Sequence, residues 1–208
     1  MSEWVETTLG AHLVRVRREV QVEDGVEYPA VSVMKDGAGL GPKEPFVGGK
    51  TTYARLFRVH KDDVVVRTIT AFESPVGVAR ECHHGSHVSG VFLTYEVAHT
   101  VLPQFLALFF QTPMFWREMQ NRATGTVLRR KTISDKSFRA IPITLPPLAE
   151  QRRIVDVMSA VDAQIEALEA EAERGHGLLP ALVQSLAGSD DAWPRKRLGE
   201  VGEFIRGK

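Results

Sequence analysis

Residues 82–87, CHHGSH, have side chains that could bind a metal ion. They offer one thiol and three imidazoles, from Cys82, His83, His84 and His87, and zinc accepts both kinds of ligand. A structural zinc site usually needs four ligands at regular spacing, and no second ligand pair stands elsewhere in the sequence. We therefore predict a surface turn with incidental histidines and no metal.

Residues 47–52, VGGKTT, resemble part of a phosphate-binding loop. The full pattern, G-x-x-x-x-G-K-[ST], requires a glycine at position 44, where the sequence has Glu44. The strand before the loop and the helix after it are also missing. No nucleophile–histidine–carboxylate set and no pair of carboxylates stands out elsewhere. The sequence therefore predicts neither a catalytic site nor a cofactor of its own.

Residues suited to DNA contact gather in three places. They are the loop residues Thr126, Arg129, Arg130, Lys131, Thr132, Ser134 and Lys136; the cluster Lys50, Thr51, Thr52 and Tyr53; and Arg67. Arginine and lysine neutralise phosphates, and arginine also binds the major-groove edge of guanine. A single arginine at a strand end can equally pair with a carboxylate, so this alternative stays open for Arg67.

The charges are unevenly distributed although the formal net charge is zero. Residues 117–139 hold seven Lys or Arg and two acidic residues, a net charge of +5. Residues 148–174 hold three Arg and seven acidic residues, a net charge of −4. A basic block followed by an acidic block favours two surfaces with different partners, although two solvated faces would give the same pattern.

The composition is that of a soluble globular protein, with 43% hydrophobic and 25% charged residues among 208. No apolar run approaches the roughly 18 residues that a membrane-spanning helix needs. The N-terminus shows no signal peptide, and Cys82 is the only cysteine. We therefore expect a protein of the reducing cytoplasm.

Residues 26–102 are typical of strands and turns, as in VEYPAVSVM (26–34) and KDDVVVRTITAF (61–72). The stretch DGAGLGPKEP (36–45) should be an irregular loop because it is rich in Gly and Pro. Two short helices then follow Pro103 and Pro113, with an aromatic stripe that predicts core packing. The pattern predicts a folded sheet with short helices, and so an α+β protein.

The segment IPITLPPL (141–148) should be extended because adjacent prolines exclude helix. A helix of about 40 Å is expected from Leu148 to Gly175, and GLLPALVQSLAG (177–188) could fold back on it. Apolar residues recur along this helix at alternating spacings of four and three, which is the seam of a coiled coil. The seam residues are Ile154, Met158, Val161, Ile165 and Leu168.

The stretch from 124 to 168 resembles the specificity subunits of type I restriction–modification systems. The strongest element is IPITLPPLAEQRRIV (141–155), and GTVLRRKTISDKSF (125–138) is similar to the loop that precedes it in the family. KDDVVV matches a Gly-Asp start of a strand, with Asp62 in place of Gly. The resemblance implies a non-catalytic DNA-recognition subunit that reads half of a bipartite target. It also implies methyltransferase partners, which bring S-adenosylmethionine, and a nuclease–translocase subunit as a further partner.

The two ends of the sequence are similar. Trp4 stands five residues before Leu9-Gly10, and Trp193 stands five before Leu198-Gly199. The family resemblance implies tandem recognition domains, each followed by a helix. We therefore predict a target-recognition domain of twisted sheet and short helices at 1–147, a long coiled-coil-forming helix region at 148–188, and the start of a second repeat or a tail at 189–208.

The segment 177–188 is too short to cover the whole seam, so we expect the seam to pair with a second copy of the chain in an antiparallel homodimer. The alternative interpretation is a coiled-coil protein-interaction module without DNA specificity. DNA retention that falls steeply with salt would favour the first interpretation, whereas salt-insensitive binding to protein alone would favour the second.

Overall fold

The computed structural model of the chain describes residues 4–127, 130–188, 196, 197, 200 and 202. Its strands are β1 (Val5–Thr8), β2 (Leu13–Val16), β3 (Glu19–Gln21), β4 (Glu27–Val33), β5 (Leu40–Val47), β6 (Arg55–Arg58), β7 (Val64–Arg67), β8 (Val76–Val78), β9 (His87–Val88), β10 (Phe92–Val97) and β11 (Pro142–Leu145). Its α-helices are α1 (Pro103–Phe110), α2 (Pro113–Arg122), α3 (Asp135–Arg139) and α4 (Leu148–Gly188). No helix in these ranges combines the length and the apolar character that a membrane crossing needs.

The strands form three sheets. β1 pairs with β11, a four-stranded sheet has the order β2-β10-β7-β8, and a five-stranded sheet has the order β3-β6-β9-β4-β5. Every neighbouring pair is antiparallel except β4 with β9. Strands and helices are therefore segregated rather than alternating, which confirms the predicted α+β class.

The four-stranded sheet is the middle layer of the first part of the chain. Because side chains alternate along a strand, Val64 and Val66 face the cluster that contains the aromatic residues of α1 and α2, whereas Val65 faces the five-stranded sheet. All three valines are fully buried. A strand covered on both faces explains the uninterrupted apolar run that predicted β7.

The composition of residues 36–45 predicted an irregular loop, but only part of this stretch is irregular. Residues from Leu40 onward form β5, which pairs with β4, and Pro42 lies opposite Val31. Because β5 is the edge strand of its sheet, its outer side has no ladder for a proline to interrupt. The irregular part is the short connection around Asp36 and Gly37, both of which have positive φ.

The two short helices begin where the prolines predict. Pro103 and Pro113 occupy the first turns of α1 and α2, and the Thr112 side chain accepts a hydrogen bond from the Phe115 amide. Their aromatic stripe is core, as predicted. The buried members of this stripe are Phe105, Leu106, Phe109, Phe110, Phe115 and Met119.

Helix α4 begins at Leu148, directly after the two prolines, as predicted. The predicted end at Gly175 and the fold-back after it are wrong, because one helix continues through Pro180 to Gly188. The apolar spacing of four and three also continues past Gly175, to Leu179 and Leu182, which suits one continuous helix. The residues described between 159 and 185 are exposed.

By its internal contacts the chain divides into two units after Met158, inside α4. The sequence-based boundary between 147 and 148 coincides with the start of α4 instead. The domain assignment therefore stays a prediction, and the proposed second repeat at 189–208 lies almost wholly outside the described residues.

Candidate nucleic-acid interface

Residues 124–127 and 130–132 form the two arms of a narrow loop, and we call the stretch 124–132 the basic loop. Thr124 and Thr132 close it with two backbone hydrogen bonds of 2.8 Å each. Gly125 has a φ of 131°, and a side chain there would bring its Cβ within 3.2 Å of the Lys131 Cα. A glycine is therefore needed to let the two arms of the loop approach.

The predicted contact residues of the basic loop are mostly accessible. Thr126, Arg130 and Thr132 are exposed, and Lys131 is half-buried. Arg129 lies outside the described residues. The described part of the loop therefore offers cations and hydroxyl groups close together, which is the arrangement that phosphate contact needs.

Backbone hydrogen bonds dock the basic loop on the segment that follows β7. The Ala71 amide donates to the Lys131 carbonyl at 3.0 Å, and the Ile133 amide donates to the Thr68 carbonyl at 3.0 Å. Ile69 forms a bridge with Thr132. The loop is thus tied at its base to a neighbouring segment about 60 residues away in sequence.

Arg67 lies at the end of β7, close to this docking segment. Its Nη2 donates to Glu73 Oε2 at 3.0 Å, in a partly buried ion pair. Its Nε is buried and has no hydrogen-bond partner among the described residues. The structure therefore realises the carboxylate pairing left open by the sequence, and one guanidinium nitrogen still lacks an acceptor.

Ser134 and Lys136 follow the basic loop at the start of α3. The Ser134 hydroxyl accepts a hydrogen bond of 3.1 Å from the Ser137 amide, so this side chain caps the helix. Lys136 is exposed. Of this pair, only Lys136 has a side chain whose polar end makes no hydrogen bond or ion pair within the described residues.

The cluster Lys50, Thr51, Thr52 and Tyr53 is not brought next to the basic loop. It lies in the turn after β5, where the Thr51 amide donates to the Val47 carbonyl. The opposite end of the β4–β5 hairpin is the one near β7, because the Asp36 amide donates to the Glu73 carbonyl at 2.7 Å. Seven residues of β4 separate the two ends, and a strand of that length spans about 20 Å.

Sequence reasoning missed three residues of the docking segment. Ile69 is 43% exposed, Thr70 has a φ of 55°, and Glu73 pairs with Arg67. A β-branched residue in the left-handed region is a true outlier. No local signal marks these positions, because their surroundings are set by pairing with residues 131–133.

The histidine turn has separate backbone partners for each imidazole. The Arg80 amide donates to His83 Nδ1 at 3.0 Å, the Lys61 amide donates to His84 Nδ1 at 3.2 Å, and His87 Nδ1 lies 3.1 Å from the Pro29 carbonyl. Cys82 is exposed. Nowhere in the described ranges do three His, Cys, Asp or Glu side chains gather as metal ligands.

The seam of α4 has two parts. Ile154 is half-buried and packs against the core beneath α1 and α2. Met158, Val161, Ile165 and Leu168 are between 40% and 54% exposed. These four therefore form the accessible apolar face of the helix, whereas Ile154 is already partly covered.

The comparisons with known proteins agree on one family. Residues 19–174 match the model of the type I restriction modification DNA specificity domain. Similar solved structures include the HsdS subunit from Thermoanaerobacter tengcongensis, with a TM-score of 0.63 and 18% identity over 88% of this chain and 48% of that chain. The type I restriction-modification S subunit from M. genitalium has a TM-score of 0.56 and 17% identity over 92% of this chain and 47% of that chain.

A third solved structure comes from work on complex assembly and conformational transition of a type I R-M system. Its TM-score is 0.60, with 20% identity over 94% of this chain and 52% of that chain. The chain therefore spans about half the length of the solved structures that it matches. No curated protein matches its sequence. At these identities the structural likeness shows the shared fold.

Proposed function

Because the chain belongs to the type I restriction modification DNA specificity family, we propose that it recognises a specific DNA sequence and reads one half of a bipartite target. The observation that carries this proposal is the family match over residues 19–174, which include all the candidate contact residues. The chain itself has no part in catalysis under this proposal.

The geometry of the basic loop supports DNA contact there. Exposed Arg130 and half-buried Lys131 lie in a loop whose base is held by backbone hydrogen bonds between Thr124 and Thr132 and by those to the segment after β7. A rigid base lowers the entropic cost of binding, because fewer backbone conformations are lost when DNA binds. The basic loop and the Arg67 segment then act together, whereas the Lys50–Tyr53 cluster can reach only a separate part of the DNA.

The partners that we propose are the DNA methyltransferase subunits and a nuclease–translocase subunit. The methyltransferase supplies S-adenosylmethionine and the reacting groups, and this chain supplies position on the DNA. The acidic flanks of helix α4 are the surface that we assign to docking, because we assign the apolar face between them to a second copy of the chain. Such an assembly belongs in the cytoplasm.

We also assign the accessible seam to pairing with a second copy of the chain. Antiparallel pairing can set Ile165 of one copy against Gly175 of the other and Leu168 against Ala172. Space around Gly175 is open, because an added Cβ there would meet no atom within 4 Å. Large side chains then fill the gaps left by small ones, which is how helices pack closely.

Binding of the chain and its methyltransferase partner to a pool of random DNA duplexes tests the proposed function. Retention that falls steeply with salt, together with enrichment of a two-part sequence, is the expected result. Salt-insensitive capture of the protein partner with no DNA enrichment would instead support a protein-interaction module.

A further inference from the structure

Ile69 is an apolar side chain exposed among the polar groups of the candidate interface. It is 43% exposed, and its neighbours in space include Arg67, Lys131 and Thr132. Single exposed apolar residues are common on protein surfaces and usually need no explanation. Ile69 differs because its backbone is fixed on both sides and because the next residue is strained.

The frame around Ile69 is rigid. The Thr68 amide and hydroxyl both bond to the Val91 carbonyl, at 2.9 Å and 2.8 Å. The bridge from Ile69 to Thr132 and the hydrogen bond from Ala71 to Lys131 hold the other side. Thr70 is held at a φ of 55° within this frame. Strain of this kind persists only where the surroundings fix it, and it gathers at functional positions.

The chemistry of DNA limits what an outward-facing isoleucine can recognise. Base edges in the major groove present hydrogen-bond donors and acceptors, and the single apolar group among them is the C5-methyl group of thymine. Flanking cations bind the phosphates on either side and fix the distance of the segment from the groove. An isoleucine in that setting adds a contact that depends on the base.

We propose that Ile69 is a specificity-determining residue that contacts the C5-methyl group of a thymine in the target. This inference rests on the proposed function, since it requires sequence-specific DNA binding. Val127, on the basic loop and 54% exposed, is the second apolar side chain of the same surface. A buried methyl group changes affinity by a factor of about four.

The test replaces each thymine of the selected target in turn by deoxyuridine, which removes only the methyl group. The complex of the chain with its methyltransferase partner should bind one such duplex about fourfold more weakly. With Ile69→Ala, that loss should disappear, and affinity for the unmodified target should fall by a similar factor. The slope of log affinity against log salt should stay the same, because no phosphate contact is lost.

Two controls accompany this measurement. Val14→Ala changes a valine on β2 that is 58% exposed, and it should leave every affinity unchanged. Ile69→Val keeps a branched side chain and should keep most of the deoxyuridine effect, which guards against a folding defect in Ile69→Ala.

Three outcomes would overturn the inference. The first is a deoxyuridine effect that is equal for the unaltered chain and Ile69→Ala at every position, and the second is a target without a required thymine. The third is that Ile69→Ala weakens binding equally with and without the methyl group and also abolishes base unstacking, measured by 2-aminopurine fluorescence. That result would indicate that Ile69 is a wedge in the minor groove. If the complex still binds DNA sequence-specifically, any of these results overturns only the thymine contact. If it does not bind DNA sequence-specifically, the proposed function is overturned as well.

Discussion

The side-chain carbonyl of Gln151 accepts a hydrogen bond of 2.8 Å from the backbone N–H of Leu102. Leu102 is the residue that precedes α1, and Gln151 lies in the first turns of α4. The amide nitrogen of the same side chain donates to the Pro146 carbonyl at 2.9 Å. One glutamine, only 1% exposed, thereby joins the starts of two helices to the strand end before α4.

Gln151→Leu should lower the free energy of unfolding by about 1–3 kcal/mol, because the half-buried Leu102 amide and the buried Pro146 carbonyl both lose this partner. Urea unfolding followed by circular dichroism measures this loss. Arg152→Leu, at an exposed neighbouring position of the same helix, serves as the matched control and should change stability little. Equal stability of the two variants would show that the glutamine does not fix the helix start.

Stability should fall when the pH is lowered from 7.5 to 5.5. Burial lowers the pKa values of His87, His83 and His12 from their usual range, so the unfolded chain binds more protons than the folded chain as the pH passes below about 6.5. The stability contributed by neutral histidines is therefore present above that pH and is lost below it.

His87→Phe should reduce this pH dependence. His87 lies edge-on to Tyr28 with ring centroids 5.4 Å apart, and its Nε2 has no hydrogen-bond partner within the described ranges. Phenylalanine retains an aromatic edge and cannot take up a proton. The measurement is the difference in unfolding free energy between the two pH values, with the exposed His99→Gln as control. An unchanged difference in His87→Phe would assign the acid sensitivity to other groups.

Much of the fold could be predicted because its signals are local. The prolines at the first positions of α1 and α2, and those directly before α4, fix where these helices begin, and the valine run predicts β7. Asp62 also fits its expected role, since it has a φ of 66°, the left-handed conformation for which the family uses glycine. Asp tolerates this region better than most residues, so the substitution keeps the turn.

The surroundings of the candidate site could not be predicted in the same way. Arg67 pairs with Glu73 because the turn between them brings Glu73 back beside the end of β7. The neighbours of Ile69 come from residues 131–133, far away in sequence. The edge position of β5, which makes Pro42 acceptable, depends on the order of strands in the sheet. These are long-range facts of pairing, and no local pattern of residue types contains them.

Substituting Arg129, Arg130 and Lys131 together by alanine should weaken DNA binding. Three lost phosphate contacts flatten the slope of log affinity against log salt by about 2–3 units. Arg80→Ala tests the effect of removing one exposed cation near the start of β7, away from the basic loop, and should leave the slope unchanged. An unaltered slope in the triple variant, with an intact thermal melt, would place the loop away from the DNA.

The purified, untagged protein should contain no stoichiometric zinc. His83 and His84 each already accept a backbone hydrogen bond through Nδ1, which leaves a single ring nitrogen for any other ligand. Elemental analysis measures the metal content directly. One tightly held zinc per chain that is lost in Cys82→Ala would contradict this prediction.

The accessible seam of α4 should make the chain a dimer at micromolar concentration. Met158, Val161, Ile165 and Leu168 each keep 40–54% of their surface in water, and burying that surface is worth about 1 kcal/mol for each side chain. Light scattering should report twice the chain mass. Met158→Glu with Ile165→Glu should give a monomer, whereas Ala170→Glu, on the side of the helix away from the seam, should not.

The direction of pairing can be tested at Gly175. In antiparallel pairing this glycine faces Ile165 of the other copy, so Gly175→Leu should overfill the contact and weaken the dimer. In parallel pairing Gly175 faces Gly175 of the other copy, so leucine at this position would fill the gap and strengthen the dimer. Leucine stabilises a helix by about 1 kcal/mol more than glycine does, so a less stable helix would not explain a weaker dimer.

Salt gives an independent measure of the same arrangement. Glu169 and Glu171 lie close to the two-fold axis of the antiparallel pair. Each glutamate therefore faces the same glutamate of the other copy, and these like charges oppose pairing. Screening should therefore strengthen the dimer as salt rises, opposite to the salt dependence of DNA binding. A chain that stays monomeric at all salt concentrations, or a dimer that survives both glutamate substitutions, would assign the seam to the methyltransferase instead of a second copy.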